Sequence, residues 1–344
     1  MILFDNDYTE GAHEQILERL LQTNREQASG YGLDQYTENA KKYIKKVIKR
    51  EDVDIHLISS GTQTNLIVIA ASLRPYQGVI TTDSGHILNL EAGAIEAVGH
   101  KLLPLSSEDG KIYAEEVREF VKKYENNPAN FHKVQPGMVY LSNPTETGTL
   151  YSKEELQALK TVCKDFDMKL FIDGARLGYG LVAESNDVTL HDLTYLSDVF
   201  YIGGTKIGAL FGEAVVISNE EVKRGFKTIM KQKGALLAKG RALGIQFEVL
   251  FKDHLYFEIS KHAVTQAMHI KEALISKGIK LKYKTYTNQL FPILSEKQIK
   301  QLQEKYSLLI FKKENEGNSV VRICTSWATT SENVDALIKD INKL

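Results

Sequence analysis

Tyr201-Ile202-Gly203-Gly204-Thr205-Lys206-Ile207-Gly208-Ala209 follows Asp198-Val199-Phe200, so a lysine stands where a short apolar strand gives way to a turn of small residues. A charge in that position does little for solubility. At the mouth of a core, desolvation lowers a lysine pKa and frees the amine as a nucleophile. Amines in that state bond to carbonyl compounds, pyridoxal phosphate among them. A plain loop lysine between glycines has the same local pattern, so the decision rests on what the chain brings to its other strand ends.

Working back toward the N-terminus, Lys169-Leu170-Phe171-Ile172 reads as a strand ending in Asp173-Gly174-Ala175-Arg176. Gly137 to Ser142 is another, opening into the polar loop Asn143-Pro144-Thr145-Glu146-Thr147-Gly148, with the capping box Ser152-Lys153-Glu154-Glu155 behind it. Val79 to Thr82 leads into Asp83-Ser84-Gly85-His86, which places His86 at a strand's carboxyl end. Val53 to Ile58 is followed by Ser59-Ser60-Gly61-Thr62-Gln63-Thr64-Asn65 and an apolar helical run from Leu66 to Leu73. A strand, a small polar turn and a helix aim backbone N–H groups at one point, either as a plain N-cap by Ser60 or Thr62 or as a phosphate cup. The turn lacks both Gly-x-Gly-x-x-Gly and the Gly-Lys-Ser/Thr of a P-loop, so nucleotide fingerprints are not met.

Short apolar strands alternate with helices up to about residue 250, which predicts an α/β domain with a mostly parallel sheet flanked by helices over residues 1–250, including an N-terminal arm. From Phe251 the texture changes to a long helix (His254 to Ser276), short strands near Lys280, Leu290, Leu308 and Val320, and a closing helix from Glu332. Residues 251–344 therefore read as a smaller α+β domain.

The composition narrows the function classes. The chain has 344 residues, 43% of them hydrophobic and 25% charged, with a formal net charge of -1. That balance gives no reason to expect a nucleic-acid or membrane partner. The one basic run, Lys41 to Arg50, carries Tyr43, Ile44, Val47 and Ile48 at helical spacing and reads as an amphipathic helix with a solvated face. The 2 cysteines, Cys163 and Cys324, lie far apart in apolar surroundings and form neither a disulfide framework nor a zinc site, as expected in a reducing cytosol. No apolar run approaches the roughly 18 residues that a bilayer span requires, and Met1 to Asp7 turns acidic without a leader pattern. The expectation is a soluble cytoplasmic protein with no metal centre.

Right-handed crossovers place all carboxyl ends of a parallel sheet on one edge, so Asp173, Lys206, His86 and the Ser60 turn can converge. An aspartate for a pyridine N–H, a lysine for an aldehyde and a helix N-terminus for a phosphate are the parts of a pyridoxal phosphate site.

Ser60-Gly61-Thr62-x-x-Asn65-Leu66, the His86 strand end, Asp173-Gly174-Ala175-Arg176 and Gly203-Gly204-Thr205-Lys206-x-Gly208 look like the low-specificity L-threonine aldolases. These belong to the β-eliminating lyase group of fold-type I pyridoxal phosphate enzymes. The resemblance continues through Lys231-Gln232-Lys233-Gly234 with Arg241, and into Val321-Arg322-x-x-x-Ser326-Trp327, over nearly the whole chain. It implies that Lys206 bonds the cofactor aldehyde, that Asp173 binds the pyridine nitrogen and that Arg176 lies near the ring hydroxyl and the substrate carboxylate. Ser60, Gly61 and Thr62 would hold the phosphate, joined by Arg241 from a neighbouring subunit of a homodimer or homotetramer. His86 would stack on the ring and help take the β-hydroxyl proton, His132 would lie near the substrate side chain, and Arg322 would anchor the α-carboxylate. The implied reaction is cleavage of L-threonine or L-allo-threonine to glycine and acetaldehyde. Other reactions on the same scaffold (β-elimination, transamination, racemisation) and a catalytically retired scaffold protein are the alternatives. One departure concerns the arm, where the family's Ser-Asp is matched to Phe4-Asp5. Phe4 cannot donate a hydrogen bond, so either Asn6 substitutes or the substrate differs.

Overall fold

The computed structural model describes residues 1–344. Its larger sheet has seven strands: β2 (Asp54–Ile58), β3 (Gln77–Thr82), β4 (Leu102–Leu105), β5 (Gln135–Ser142), β6 (Lys169–Asp173), β7 (Val199–Gly203) and β8 (Glu213–Ile217). The preceding β1 (Ile2–Leu3) belongs to the arm. The strand order is β2-β8-β7-β6-β5-β3-β4, parallel except for β8, which runs against both its neighbours. β7 and β8 are buried along their whole length. Parallel sheets covered on both faces require the near-continuous apolar runs that these segments carry. The two faces are packed by separate clusters, one of 43 buried residues and one of 19.

This topology positions the site. The carboxyl ends of β2, β3, β5, β6 and β7 all meet one edge, and because β8 is reversed, its first residue, Glu213, arrives at that same edge opposite Gly203. The helix after β2 begins at Gly61, not near Leu66, and runs to Ser72. Ser60 caps it by accepting from the Gln63 N–H, which moves the helix terminus up against the strand end. The single helix read from Asn219 to Lys231 is two, Glu220–Lys223 and Phe226–Gln232, broken at Gly225 in the left-handed region. The basic helix, Gln35–Ile48, buries Tyr36, Ala40, Ile44 and Ile48 against the helix Arg241–Lys252.

The smaller sheet is built from β9 (Gln289–Leu290), β10 (Ile293–Ser295), β12 (Leu309–Asn315) and β13 (Asn318–Cys324), all paired antiparallel around β13. β11 (Tyr306–Ser307) instead pairs with β1. The arm is therefore stitched to the C-terminal part, and Phe4 packs on Tyr306 in the smaller core. The helix Leu255–Ser276 joins the two parts. Leu255 to Val264 packs in the large core, whereas Ala267, Ile270 and Leu274 pack in the small one.

Candidate active site

A cavity of about 380 Å³ opens at the carboxyl edge of the large sheet, and its walls include Lys206, Asp173, Arg176, His86, Ser60, Gly61 and Thr62. Seven of the residues singled out by sequence are thus brought together. A more open cleft of about 870 Å³ lies elsewhere, between Lys111 and Lys282. It holds none of these strand-end groups, and two of its four lysines, Lys111 and Lys282, are already paired, with Glu155 and Glu314.

Lys206 sits in the turn that β7 enters through Gly203-Gly204-Thr205, and its carbonyl accepts from the Tyr179 hydroxyl at 2.5 Å. Burial lowers the pKa of its amine, and the Arg176 charge lowers it further, against the opposing pull of Asp7, Glu213 and Asp173. The glycines of this region serve close packing between strand ends. A Cβ on Gly203 would stand 2.4 Å from the Ala175 carbonyl oxygen.

Asp173, the last residue of β6, is surrounded by donors. Its Oδ1 accepts from the Tyr201 hydroxyl at 2.5 Å and from the Ala175 N–H at 2.9 Å. Its Oδ2 accepts from the Tyr140 hydroxyl at 2.5 Å and from the Asn65 amide at 3.2 Å. Burial pushes its pKa upward, but the His86 charge and these donors outweigh it and hold the carboxyl below the usual range.

Asn65 also donates to Glu91 at 2.7 Å, and the same Glu91 oxygen meets His86 Nδ1 at 2.7 Å. Burial tends to lower the imidazole pKa, yet Glu91 and Asp173 together raise it. The His86 backbone N–H donates to Glu146 at 2.9 Å, and Ser142 donates to the same oxygen at 2.8 Å. Glu213, whose carboxyl is pushed up to about 8 by burial, accepts from Thr205 Oγ1 at 2.8 Å and from the Gly204 N–H at 3.1 Å.

Arg176 is committed to the arm. Its Nε and one terminal nitrogen donate to the two oxygens of Asp7 at 2.7 and 2.9 Å. The acidic residue of the arm that reaches the site is thus Asp7 and not Asp5. Asn6 lies beside it outside the cavity wall, with its Oδ1 accepting from the Tyr8 N–H at 3.1 Å.

Three further candidates lie away from this chain's own cavity. Arg322 donates to the Asp5 carbonyl at 2.7 Å and keeps a buried Nε with no partner. Arg241 donates to the carbonyls of Glu26 and Thr23 at 2.6 and 2.7 Å. His132 is exposed in a short 3-10 turn beside Phe131. Sequence reasoning gave no role to Tyr140, Tyr201, Glu91, Glu146, Glu213 or Asp7. Glu213 carried a signal, since it opens the otherwise apolar strand Glu213-Ala-Val-Val-Ile217.

Comparison with known proteins places this arrangement. The sequence model of a family described as Beta-eliminating lyase matches residues 5–315. The low specificity L-threonine aldolase of Pseudomonas aeruginosa is 28% identical over 347 residues, covering 98% of this chain and 96% of its own length. That of Saccharomyces cerevisiae is 25% identical over 235 residues, covering 67% of this chain and 59% of its own. Among solved structures, Leishmania major threonine aldolase superposes with a TM-score of 0.96 at 42% identity, covering 100% of this chain and 99% of that one. An aspartate aminotransferase of Thermus thermophilus shares the fold, with a TM-score of 0.69 at 15% identity and coverages of 100% and 91%.

Proposed function

The chain belongs to the Beta-eliminating lyase family, and from that premise we propose that it cleaves L-threonine, L-allo-threonine and related β-hydroxy-α-amino acids to glycine and an aldehyde, with pyridoxal phosphate bound at Lys206. The residues present fit that cofactor. Lys206 offers an amine with a depressed pKa to an aldehyde, and Asp173 offers a carboxylate held ionised to a pyridine N–H. The capped N-terminus of the 12-residue helix Gly61–Ser72 offers free N–H groups and a dipole to a phosphate. All three line one cavity. That convergence is the observation that carries the reading. When bound, the cofactor supplies an electron sink for the pair left on Cα as the Cα–Cβ bond breaks.

The chain's own groups do the rest. The N–H groups of Arg176 not taken by Asp7 are the donors that the cavity offers the substrate carboxylate, and Arg322, with an unpartnered Nε behind the cavity, would join them only by leaving the Asp5 carbonyl. His86, with Nδ1 tied to Glu91, turns its remaining edge to the cavity and orients the hydroxyl-bearing side chain. Arg241 lies outside this chain's own cavity, which supports a dimer in which Arg241 of the partner subunit completes the phosphate site.

A panel of threonine isomers and serine, scored for acetaldehyde and glycine against pyruvate and ammonia, tests the proposal. Acetaldehyde and glycine in equal amounts are expected. Acetaldehyde absent with every isomer sinks the aldol-cleavage reading and leaves β-elimination, transamination or racemisation to be scored from the other products.

No helix of the chain is long and apolar enough to cross a membrane.

A further inference from the structure

Four carboxylates line the cavity: Glu91, Glu146, Asp173 and Glu213. Cleaving a β-hydroxy amino acid requires a group that takes the hydroxyl proton, and the hydrogen bonds already made decide which of the four is free to do so. Asp173 is assigned to the pyridine N–H and already accepts from Tyr140, Tyr201, Asn65 and the Ala175 N–H. Glu213 spends one oxygen on Thr205 and the other on the Gly204 N–H. The Glu91 side chain is 0% exposed: one of its oxygens already holds His86 and Asn65, and the other, though unpartnered, is buried. Glu146 also leaves one oxygen unpartnered, but the residue is only half-buried. Both of its acceptor bonds, from the His86 N–H and the Ser142 hydroxyl, fall on Oε1. Its Oε2 is left to the cavity that the residue lines.

The other candidate is His86. Its Nδ1 lies 2.7 Å from a buried carboxylate, and the ring is raised in pKa by Glu91 and by Asp173 against the effect of burial. The carboxylate partner favours the protonated ring, and in that form an imidazole has two N–H donors and no lone pair to accept with. Glu146 is displaced in the useful direction, since burial raises its carboxyl against the lowering by its own N–H, Ser142 and the His86 N–H. A base brought nearer to the working pH transfers protons more effectively than a strongly acidic carboxylate.

We infer that Glu146 is the general base of the cleavage, taking the substrate's β-hydroxyl proton on Oε2, an inference that rests on the aldol-cleavage reading above. The O–H bond breaks toward Glu146, the C–O bond becomes the aldehyde carbonyl, and the Cα–Cβ bond breaks. A proton is then returned to Cα to give glycine, so threonine becomes glycine and acetaldehyde with no net proton taken up. His86 lies on the same wall, fixed through its backbone N–H to the very residue that accepts.

The test compares two reactions of the cofactor-loaded enzyme. Aldehyde release from threonine needs the hydroxyl base, whereas exchange of the glycine α-proton with deuterated solvent does not. In Glu146→Gln, aldehyde release is expected to fall by about 10²–10⁴-fold while glycine exchange stays within about threefold of the parent. The acidic limb of the kcat/KM profile for threonine should also disappear in that variant, with His86, Asp173, Glu213 and Lys206 still titrating around it. Glu146→Asp, which keeps a carboxylate, should recover part of the release and confirm that the pocket still folds. Aldehyde release that survives Glu146→Gln overturns the inference, and so does an equal loss of release and exchange, which would make the residue structural. A wild-type enzyme that exchanges glycine protons but releases no aldehyde overturns the aldol-cleavage reading itself, and this assignment with it.

Discussion

Arg176 and Asp7 form a two-pronged ion pair at 2.7 and 2.9 Å across 169 positions of sequence, with the Asp7 side chain wholly buried. Asn288 donates to the same carboxylate at 2.9 Å. The N-terminal arm, the end of β6 and the edge of the smaller sheet are thus pinned at one point beside Lys206. Two-point geometry fixes the guanidinium plane, so the pair orients Arg176 as well as neutralising it.

Asp7→Ala is expected to lower the unfolding free energy by about 3–5 kcal/mol, because it strands a buried guanidinium. The pair also predicts a pH dependence. Burial raises the Asp7 carboxyl, but Arg176 and Lys206 outweigh it and hold the folded-state pKa below its ordinary value. The stabilisation is therefore complete above about pH 4 and is lost as the pH falls from there toward the folded-state pKa. Urea titrations of parent and variant should converge on acidification, and a gap that does not narrow as the pH falls below about 4 contradicts this account.

Lys206 gives function and stability opposite signs. Its folded-state pKa is depressed, chiefly by burial, so the unfolded chain binds the proton more tightly. Stability of the cofactor-free protein should therefore rise with pH up to about 10.4, the ordinary lysine value. Lys206→Ala removes that unfavourable group, so the cofactor-free variant should unfold at equal or higher denaturant while losing the lysine-dependent visible absorption that added pyridoxal phosphate gives the parent. Denaturant midpoints and absorption spectra of the same samples check both halves.

Lys206, Asp173, His86 and the Ser60 turn were legible because each follows an apolar strand, and the edge rule for parallel sheets makes such ends neighbours. The partners that tune them were not. Tyr140 and Tyr201 lie inside strands and read as core residues, since nothing local shows that both hydroxyls meet Asp173. Asp7, Glu91 and Glu146 sit in polar stretches where a solvated carboxylate is the ordinary reading, and burial alone gives them chemistry. The arm was harder still, because β1 pairs with β11 some 300 positions away, and that pairing sets Phe4 in a core and Asp7 at the site.

His56 provides a test remote from the site. It lies in β2 against Phe226, with ring centroids 4.9 Å apart, and its Nε2 is buried without a partner. Burial pushes its pKa down to about 4. Because the folded form refuses a proton that the unfolded chain accepts, stability should fall as the pH drops from about 6.5 to 4, by about 3 kcal/mol at most. His56→Phe should flatten that slope in denaturant titrations at stepped pH. An unchanged slope would place the acid sensitivity elsewhere.

Gly174 is where the fold and the site depend on the same few atoms. The Gly203 N–H donates to its carbonyl at 3.0 Å, and a Cβ built on Gly174 would stand 1.8 Å from the Tyr201 carbonyl oxygen. No rotamer relieves a contact with backbone, so Gly174→Ala must push the ends of β6 and β7 apart. Those ends carry Asp173 and, through Gly203, the turn of Lys206, and the Tyr201 hydroxyl bonded to Asp173 belongs to the displaced strand. The expected result is a loss of about 3 kcal/mol or more, together with weakened pyridoxal phosphate binding in equilibrium titration. Gly11→Ala, where a Cβ meets nothing within 4 Å, is the control and should stay within about 0.5 kcal/mol of the parent with its affinity unchanged. If Gly174→Ala lowered stability but left cofactor affinity intact, the strand ends would be less tightly coupled to Asp173 and Lys206 than their shared backbone contacts require.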